Sequence, residues 1–254
     1  MPARYPDLAD RTVFVSGGAS GIGAAFVRAF AAQDAKVAFV DIDDAAGSAL
    51  AASLGARVRY FHCDVRDVAA LEGSIRDAAS ALGTIRVLVN NAARDDRRAD
   101  ADVTPAYWDD MLAVNLRHHF FASQAVAPAM KEAGGGVIIN MGSVSWMRGR
   151  PGLSAYTTSK AAIMGLTRTL ARALGADGIR VNSIVPGAVP TERQRQWFTP
   201  EQEREFLAQQ CLKYRVSEDD VARAALFLAS DEARAITGHG LVVDAGLAQT
   251  SVSS

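Results

Sequence analysis

A tyrosine and a lysine stand four positions apart, at Tyr156 and Lys160, in a segment whose residues permit a helix. Because an α-helix has about 3.6 residues per turn, positions i and i+4 share one face. An ammonium group beside a phenol favours the phenolate and is expected to lower the tyrosine pKa from about 10. Such a phenolate can accept the proton of a hydroxyl group. An isolated pair of this kind more often lies on a solvated helix face, so its surroundings decide its role.

Two other polar residues are candidates to act with this pair. Ser143 follows a predicted strand at residues 137–141, which would place it opposite the Tyr156 helix across the mouth of a cleft. Asn115 lies in a predicted long helix at residues 106–132. Asparagine is a poor helix former, so its presence there needs a reason, the simplest being a hydrogen bond in the core.

A glycine-rich turn near the start of the chain is a candidate phosphate cradle. A β-branched run at residues 12–15 precedes Gly17, Gly21 and Gly23, and an apolar helical stretch at residues 24–31 follows. Glycines let the backbone approach a pyrophosphate, which binds at the positive N-terminus of the helix. Glycine turns are common without a ligand, so the next strand decides this interpretation.

That strand, at residues 36–40, ends in Asp41. A carboxylate about 20 positions after the glycines suits a hydrogen bond to a ribose 2′-hydroxyl. It would repel a 2′-phosphate, and the glycine turn and the positions just after Asp41 contain no arginine or lysine. The sequence therefore predicts NAD rather than NADP as the cofactor, with a surface carboxylate as the alternative.

Apolar runs and helical segments alternate along the rest of the chain, which is typical of βαβ units and a parallel sheet. We predict one α/β domain over residues 1–254, with a doubly wound, Rossmann-like sheet of seven parallel strands and helices on both faces. Ligands of such sheets bind beyond the carboxyl ends of the strands. Asp41, Asp64 and Asn90 all follow strands. Asp64 would accept a hydrogen bond from an adenine amino group or cap the next helix.

Two charged segments are candidate substrate elements. Residues 94–100 form a dense charge run directly after a strand, which indicates either a solvated loop or a substrate-binding loop. Residues 190–214 combine charges with aromatic side chains and include a predicted helix start at Thr199 and Pro200. We predict that this second segment is a lid over the cleft; a plain surface excursion is the alternative.

Composition excludes several classes of protein. The net charge of −1 over 254 residues predicts neither a nucleic-acid partner nor an anionic membrane surface. Cys63 and Cys211 are isolated, and the four histidines lack metal-ligand spacing, so no metal site is expected. No signal peptide or membrane-spanning run is recognised, and a soluble cytoplasmic protein is expected.

The combined pattern resembles the short-chain dehydrogenase/reductase family over nearly the whole chain. The matching residues are Gly17, Gly21, Gly23, Asp64, Asn90, Asn91, Ala92, Asn115, Ser143, Tyr156, Lys160, Pro186, Gly187 and Thr191. Ala93 stands where the family usually has glycine, and Ser16 replaces its usual threonine while keeping the hydroxyl.

The resemblance implies a role for each matching residue. Tyr156 is the general base, Lys160 lowers its pKa and holds the nicotinamide ribose, Ser143 orients the substrate oxygen, and Asn115 supports a water on a proton path. Further cofactor contacts are implied for Ser20, Ile22, Asp41, Ile42, Asp64, Val65, Asn91, Ala92, Tyr156, Pro186, Gly187, Val189 and Thr191, in addition to the three glycines.

Within the family, the segments around Arg94, Trp108, Trp146 and Trp197 look like those of bacterial NAD-dependent sugar dehydrogenases. This implies oxidation of the anomeric hydroxyl of an aldose, such as D-xylose, L-arabinose or L-fucose, to the aldonolactone. Candidate sugar contacts are Asp95, Ser145, Trp146, Arg148, Arg193 and Trp197. The family also implies a homotetramer, formed by the helices that contain Asn115 and follow Tyr156.

Two alternatives remain. The first is a dehydrogenase or reductase of another secondary alcohol or of a 3-oxoacyl substrate, against which Asp41 and the charged loop argue. The second is a non-catalytic NAD sensor, which would not need Ser143, Tyr156 and Lys160 together.

Overall fold

The computed structural model describes residues 3–190 and 199–248. A central parallel sheet organises this part of the chain, with the strand order β3-β2-β1-β4-β5-β6-β7. The strands are β1 (Thr12–Ser16), β2 (Lys36–Asp41), β3 (Val58–His62), β4 (Ile85–Asn90), β5 (Gly136–Met141), β6 (Ile179–Pro186) and β7 (Gly240–Val243). The predicted doubly wound sheet of seven parallel strands is confirmed.

The inner strands are apolar on both sides because each face of the sheet is covered by helices. Val13 and Val15 of β1 belong to one buried cluster, whereas Phe14 belongs to the cluster on the opposite face. Successive side chains of a strand point to opposite faces, so the continuous apolar run contributes side chains to both buried clusters. All three side chains are fully buried.

Helices α1 (Gly21–Ala31), α2 (Asp44–Leu54) and α8 (Glu218–Ala229) cover the first face. Helices α3 (Val68–Leu82), α5 (His118–Glu132) and α6 (Ser154–Leu174) cover the second. Two shorter helices are α4 (Pro105–Leu112) and α7 (Pro200–Ala208). This arrangement leaves the carboxyl ends of the strands accessible between the two helical layers.

The predicted continuous helix at residues 106–132 is wrong in its middle. A π-helical segment, Ala113–Arg117, separates α4 from α5. Asn115 lies inside it, fully buried, and its side chain accepts from Arg94 N at 2.8 Å and donates to Arg94 O at 3.0 Å. The asparagine thus has the core hydrogen bonds expected of it, and such segments are frequent at functional sites.

Within the described ranges, no helix has the length and apolar character needed to cross a membrane.

Candidate active site

A cleft of about 680 Å³ lies at the carboxyl ends of the strands. Most residues predicted to bind cofactor or do chemistry line it, namely Gly17, Ser20, Gly21, Ile22, Gly23, Asp41, Ile42, Asp64, Val65, Asn91, Ala92, Ser143, Tyr156, Lys160, Pro186, Gly187 and Val189. Thr191, Arg193 and Trp197 lie outside the described residues. The cleft has the size range of cofactor and ligand sites.

The glycine turn has the geometry of a phosphate cradle. Gly17 and Gly21 have φ of +66° and +51°, a region that favours glycine. A Cβ on Gly23 would lie 1.8 Å from Gly17 O, so α1 and the turn meet too closely for any side chain. Ser20, the N-cap of α1, makes no side-chain cap hydrogen bond. The first amide groups of α1 therefore remain available for an anion, which fits a dinucleotide pyrophosphate.

Asp41 is held rigidly beside this turn. One carboxylate oxygen accepts from Ala19 N at 2.9 Å, and the other accepts from Ile42 N at 2.8 Å and Asp43 N at 3.2 Å. The fixed negative charge lines the cleft beside the glycine turn. This position fits a ribose diol and opposes an added phosphate.

Asp64 is not the N-cap of α3, so one of its two predicted roles is wrong. Asp67 takes that position and accepts from Ala70 N at 3.0 Å. Asp64 instead forms a bidentate pair with Arg66, whose Nε and Nη2 donate at 3.0 and 2.6 Å. Both side chains line the cleft. Sequence reasoning missed Arg66, because nothing in its local pattern distinguishes it from other surface arginines.

Ser143, Tyr156 and Lys160 meet at the opposite end of the cleft. The Ser143 hydroxyl lies beside Tyr156 and acts to lower the pKa of its phenol. The ammonium of Lys160 donates to the Met141 carbonyl at 2.7 Å and lies 5.8 Å from the centroid of the Tyr156 ring. Lys160 is only 1% exposed. The structure therefore brings together the three residues that sequence analysis assigned to one reaction centre.

The predicted lowering of the Tyr156 pKa is wrong for the isolated chain. Burial raises the pKa of Tyr156 to about 12, against the lowering effect of the neighbouring Ser143 hydroxyl, and the negative charge of Asp95 raises it further. Burial also lowers the pKa of Lys160 to about 7, against the opposing effect of Asp95. Burial disfavours the charged form of both groups, and here it outweighs their proximity.

The candidate sugar contacts are divided between two environments. Asp95 lines the cleft and acts electrostatically on Tyr156 and Lys160. Ser145, Trp146 and Arg148 do not line it. In the described part of the chain, Ser145 Oγ and Trp146 Nε1 are buried without a hydrogen-bond partner, and Arg148 donates to Gln209.

A buried polar layer that sequence analysis missed supports the loop after β4. Ser16 Oγ accepts from the amides of Asn91 and Ala92 at 3.0 and 3.1 Å. His118 Nε2 lies 3.3 Å from the same oxygen. Burial, with the charge of Lys160, lowers the pKa of His118 to about 3, so its imidazole is neutral. This buried layer thus holds the backbone of two cleft residues, Asn91 and Ala92, in place.

Among the described residues, no group of three histidines, cysteines or carboxylates is arranged to hold a metal ion.

A family model described as enoyl-(acyl carrier protein) reductase matches residues 17–248. The chain belongs to the short-chain dehydrogenase/reductase family. It is therefore an oxidoreductase, and its closely similar relatives are named as sugar dehydrogenases.

Two of these relatives are each 49% identical to this short-chain dehydrogenase/reductase. One is the "Probable galactose dehydrogenase GalD" of Rhizobium meliloti (strain 1021), matched over 96% of this chain and 98% of the relative. The other is the D-xylose 1-dehydrogenase of Caulobacter vibrioides (strain NA1000 / CB15N), with the same coverage.

A solved structure with the same fold is that of a blue fluorescent protein from a metagenomic library in complex with NADPH. It is 36% identical, has a TM-score of 0.88, and matches 95% of this chain and 99% of that one. That protein is therefore seen with the phosphorylated dinucleotide on the same fold, so the fold alone does not decide between NAD and NADP.

The glycine turn generates a first prediction. Gly23→Ala is expected to raise the dissociation constant for NADH by about tenfold or more, because the new Cβ overlaps Gly17 O and forces the turn open. Isothermal titration calorimetry measures this constant directly. Gly73→Ala is the matched control, since its Cβ would have nothing nearer than 3.8 Å in α3. Equal NADH affinity in Gly23→Ala and the wild type would contradict the cradle assignment.

Proposed function

We propose that this protein is an NAD-dependent aldose 1-dehydrogenase that oxidises the anomeric hydroxyl of a pentose or deoxyhexose, such as D-xylose, L-arabinose or L-fucose, to the aldonolactone. The observation that carries the proposal is the convergence of Ser143, Tyr156 and Lys160 at one end of a dinucleotide-sized cleft. The two sugar-dehydrogenase relatives at 49% identity support the substrate class.

When bound, NAD supplies the acceptor for the hydride that leaves C1 of the sugar. The glycine turn holds the pyrophosphate and Asp41 the adenosine ribose. Ser143 donates a hydrogen bond to the sugar O1, and Tyr156 takes the proton from that oxygen as the C1–O1 bond becomes a carbonyl. The product is the lactone, which water opens outside this site.

Lys160 and Asn115 complete the proton path in this proposal. The amine of Lys160 is held on Met141 O and has a pKa lowered to about 7, so it exchanges protons near neutral pH. It also holds the nicotinamide ribose hydroxyls. Asn115 uses its side chain to fix the backbone of Arg94, which leaves its own backbone, in a π segment, for the water that links Lys160 to solvent.

Asp95 is the sugar contact that the cleft supports best, because a carboxylate accepts hydrogen bonds from hydroxyl groups. Ser145, Trp146, Arg148, Arg193 and Trp197 stay as further candidates. Residues 190–214 would act as the lid of a single domain spanning residues 1–254. Within this segment, the described residue Phe206 of α7 is buried in an apolar cluster with Val144 and Leu247.

A panel of free sugars tests the substrate class. With NAD, we expect NADH formation at 340 nm from at least one of D-xylose, D-galactose, L-arabinose and L-fucose. Tyr156→Phe is expected to lower kcat by at least about 100-fold, since general acid–base catalysis contributes that much, while NADH affinity stays unchanged. Turnover of an apolar alcohol without turnover of any sugar would overturn the sugar assignment.

The raised pKa of Tyr156 predicts an alkaline-rising pH profile for sugar oxidation. The base form of Tyr156 is scarce at neutral pH, so kcat/KM should increase as pH rises. Asp95→Asn removes a negative charge that raises the pKa of Tyr156. The rise of kcat/KM with pH is therefore expected to begin at lower pH in this variant. Asp102→Asn, an exposed carboxylate of the same loop, is the control. If the rise of kcat/KM in Asp95→Asn occurs at the same pH as in the wild type, or at higher pH, the electrostatic role of Asp95 would be contradicted.

The preference for NAD over NADP rests on Asp41. Like charges in close contact cost several kcal/mol, so kcat/KM with NAD should exceed that with NADP by about tenfold or more. Asp41→Asn keeps only one of the two oxygens that accept from the surrounding amides and removes the charge, and is expected to lower the ratio of kcat/KM with NAD to kcat/KM with NADP. A wild-type preference for NADP would reject this assignment.

The family model's description favours one alternative, a reductase of an acyl carrier protein substrate. The charged side chains of Arg94, Asp95 and Asp96 beside the cleft favour a hydrophilic substrate instead. A non-catalytic NAD sensor has no need of the Ser143–Tyr156–Lys160 arrangement. Turnover in the sugar panel would argue against both alternatives.

We further propose a cytoplasmic homotetramer. The outer face of α5 and α6 carries an apolar groove of about 390 Å³ that includes Phe120, Pro128, Leu170 and Leu174. Phe120 is 40% exposed in the single chain. Helix pairing between subunits would cover this surface.

A further inference from the structure

We propose that Asp110, on α4, is a positioning residue that joins the nucleotide end of the cleft to its substrate loop. It does so through two arginines, Arg66 and Arg94. One carboxylate oxygen of Asp110 accepts from Arg66 Nη1 at 2.8 Å, and the other accepts from Arg94 Nη2 at 2.5 Å. The inference rests on the proposed dinucleotide-dependent oxidation of a sugar.

At the nucleotide end, Arg66 is the middle of a chain of charges. Its guanidinium holds Asp64 in a bidentate pair and reaches Asp110 with its remaining nitrogen. Asp64 and Arg66 both line the cleft. A planar guanidinium fixed at both edges presents its face, and guanidinium faces stack well on aromatic rings. Arg66 and Asp64 together thus fit an adenine ring and its amino group.

At the substrate end, Arg94 receives restraints from three directions. Its backbone is bonded on both sides by the Asn115 side chain. Its Nε pairs with Asp96 at 2.6 Å and its Nη2 with Asp110. In the sequence, the candidate sugar contact Asp95 lies between Arg94 and Asp96. The position of Asp95 therefore depends on where Arg94 and Asp96 are held.

Helix α4 supports the same loop by a second route. The hydroxyl of Tyr107 donates to Asp96 O at 2.9 Å, and the Arg98 guanidinium lies 4.2 Å from the centre of the Tyr107 ring. The loop is therefore anchored to α4. Among the described residues of α4, only Asp110 pairs with both Arg66 and Arg94. The pKa of Asp110 is held below its ordinary value, with Arg66 as the first cause and Arg94 as a further one.

Asp110→Asn tests the proposal, with Asp109→Asn as the matched control. Asp109 is the exposed neighbour on the same helix and its side chain makes no ion pair among the described residues. The asparagine keeps the shape of the side chain but cannot pair with two guanidinium groups. We expect Asp110→Asn to raise the NADH dissociation constant, measured by calorimetry without sugar, by about two- to fivefold. The sugar KM at saturating NAD should rise by a similar factor, with kcat within about twofold of the wild type.

Asp110→Glu keeps the charge, and its NADH dissociation constant and sugar KM are expected to lie between those of the wild type and Asp110→Asn. If only the size of the side chain mattered, the glutamate would not recover either value. Arg66→Gln should raise the NADH dissociation constant, and Arg94→Gln the sugar KM, even if Asp110→Asn does not fold. A variant Asp110→Asn with a lower Tm but unchanged NADH affinity and sugar KM would overturn the proposal. Equal changes in Asp109→Asn would overturn it as well.

These outcomes are distinguishable from failure of the proposed function. If the wild type binds NADH but turns over no sugar, the sugar assignment fails while the calorimetric comparison of Asp110→Asn with Asp109→Asn still decides the nucleotide half. If the wild type does not bind NADH, the proposed function and this inference both fail.

Discussion

Burial of the Lys160 amine is the constraint on which the rest of the site depends. A charged group that is removed from water is costly unless polar partners surround it, and its pKa shifts until the charged form is only partly populated. The carbonyl of Met141 at the end of β5 gives the amine one such partner. Tyr156, on the same helix, is half-buried, so its phenol can reach a substrate in the cleft while desolvation still disfavours its charged form.

The sheet and its loops place that environment in a cleft at the carboxyl ends of the strands. The glycine turn follows β1, Asp41 ends β2, and the loop fixed by Ser16 follows β4. Parallel strands bring these carboxyl ends to one edge, where the cleft forms. Asn115, in the π segment, bonds to the backbone of Arg94 and so fixes the start of the charged loop beside the cleft.

Much of this was predictable from the sequence because the signals are local. Apolar runs identify the strands, and the glycine spacing and Asp41 lie within one βα unit and the following strand. Arg66 and Asp110 are 44 positions apart, so no local pattern reveals their pairing. The direction of the Tyr156 pKa shift was also beyond sequence reasoning, because it depends on how far burial outweighs the neighbouring ammonium. The π segment replaces part of a predicted α-helix, and Asn115 within it bonds to the backbone of Arg94, 21 positions away, a contact that no local pattern reveals.

The central claim is direct hydride transfer from C1 of a sugar whose O1 proton goes to Tyr156. Turnover of an accepted aldose deuterated at C1 tests it most directly, with mass spectrometry of the NADH formed and a comparison of rates with the unlabelled sugar. We predict that the deuterium appears in the reduced dinucleotide and that turnover under single-turnover conditions is slower. Unlabelled NADH from the deuterated sugar would contradict the claim.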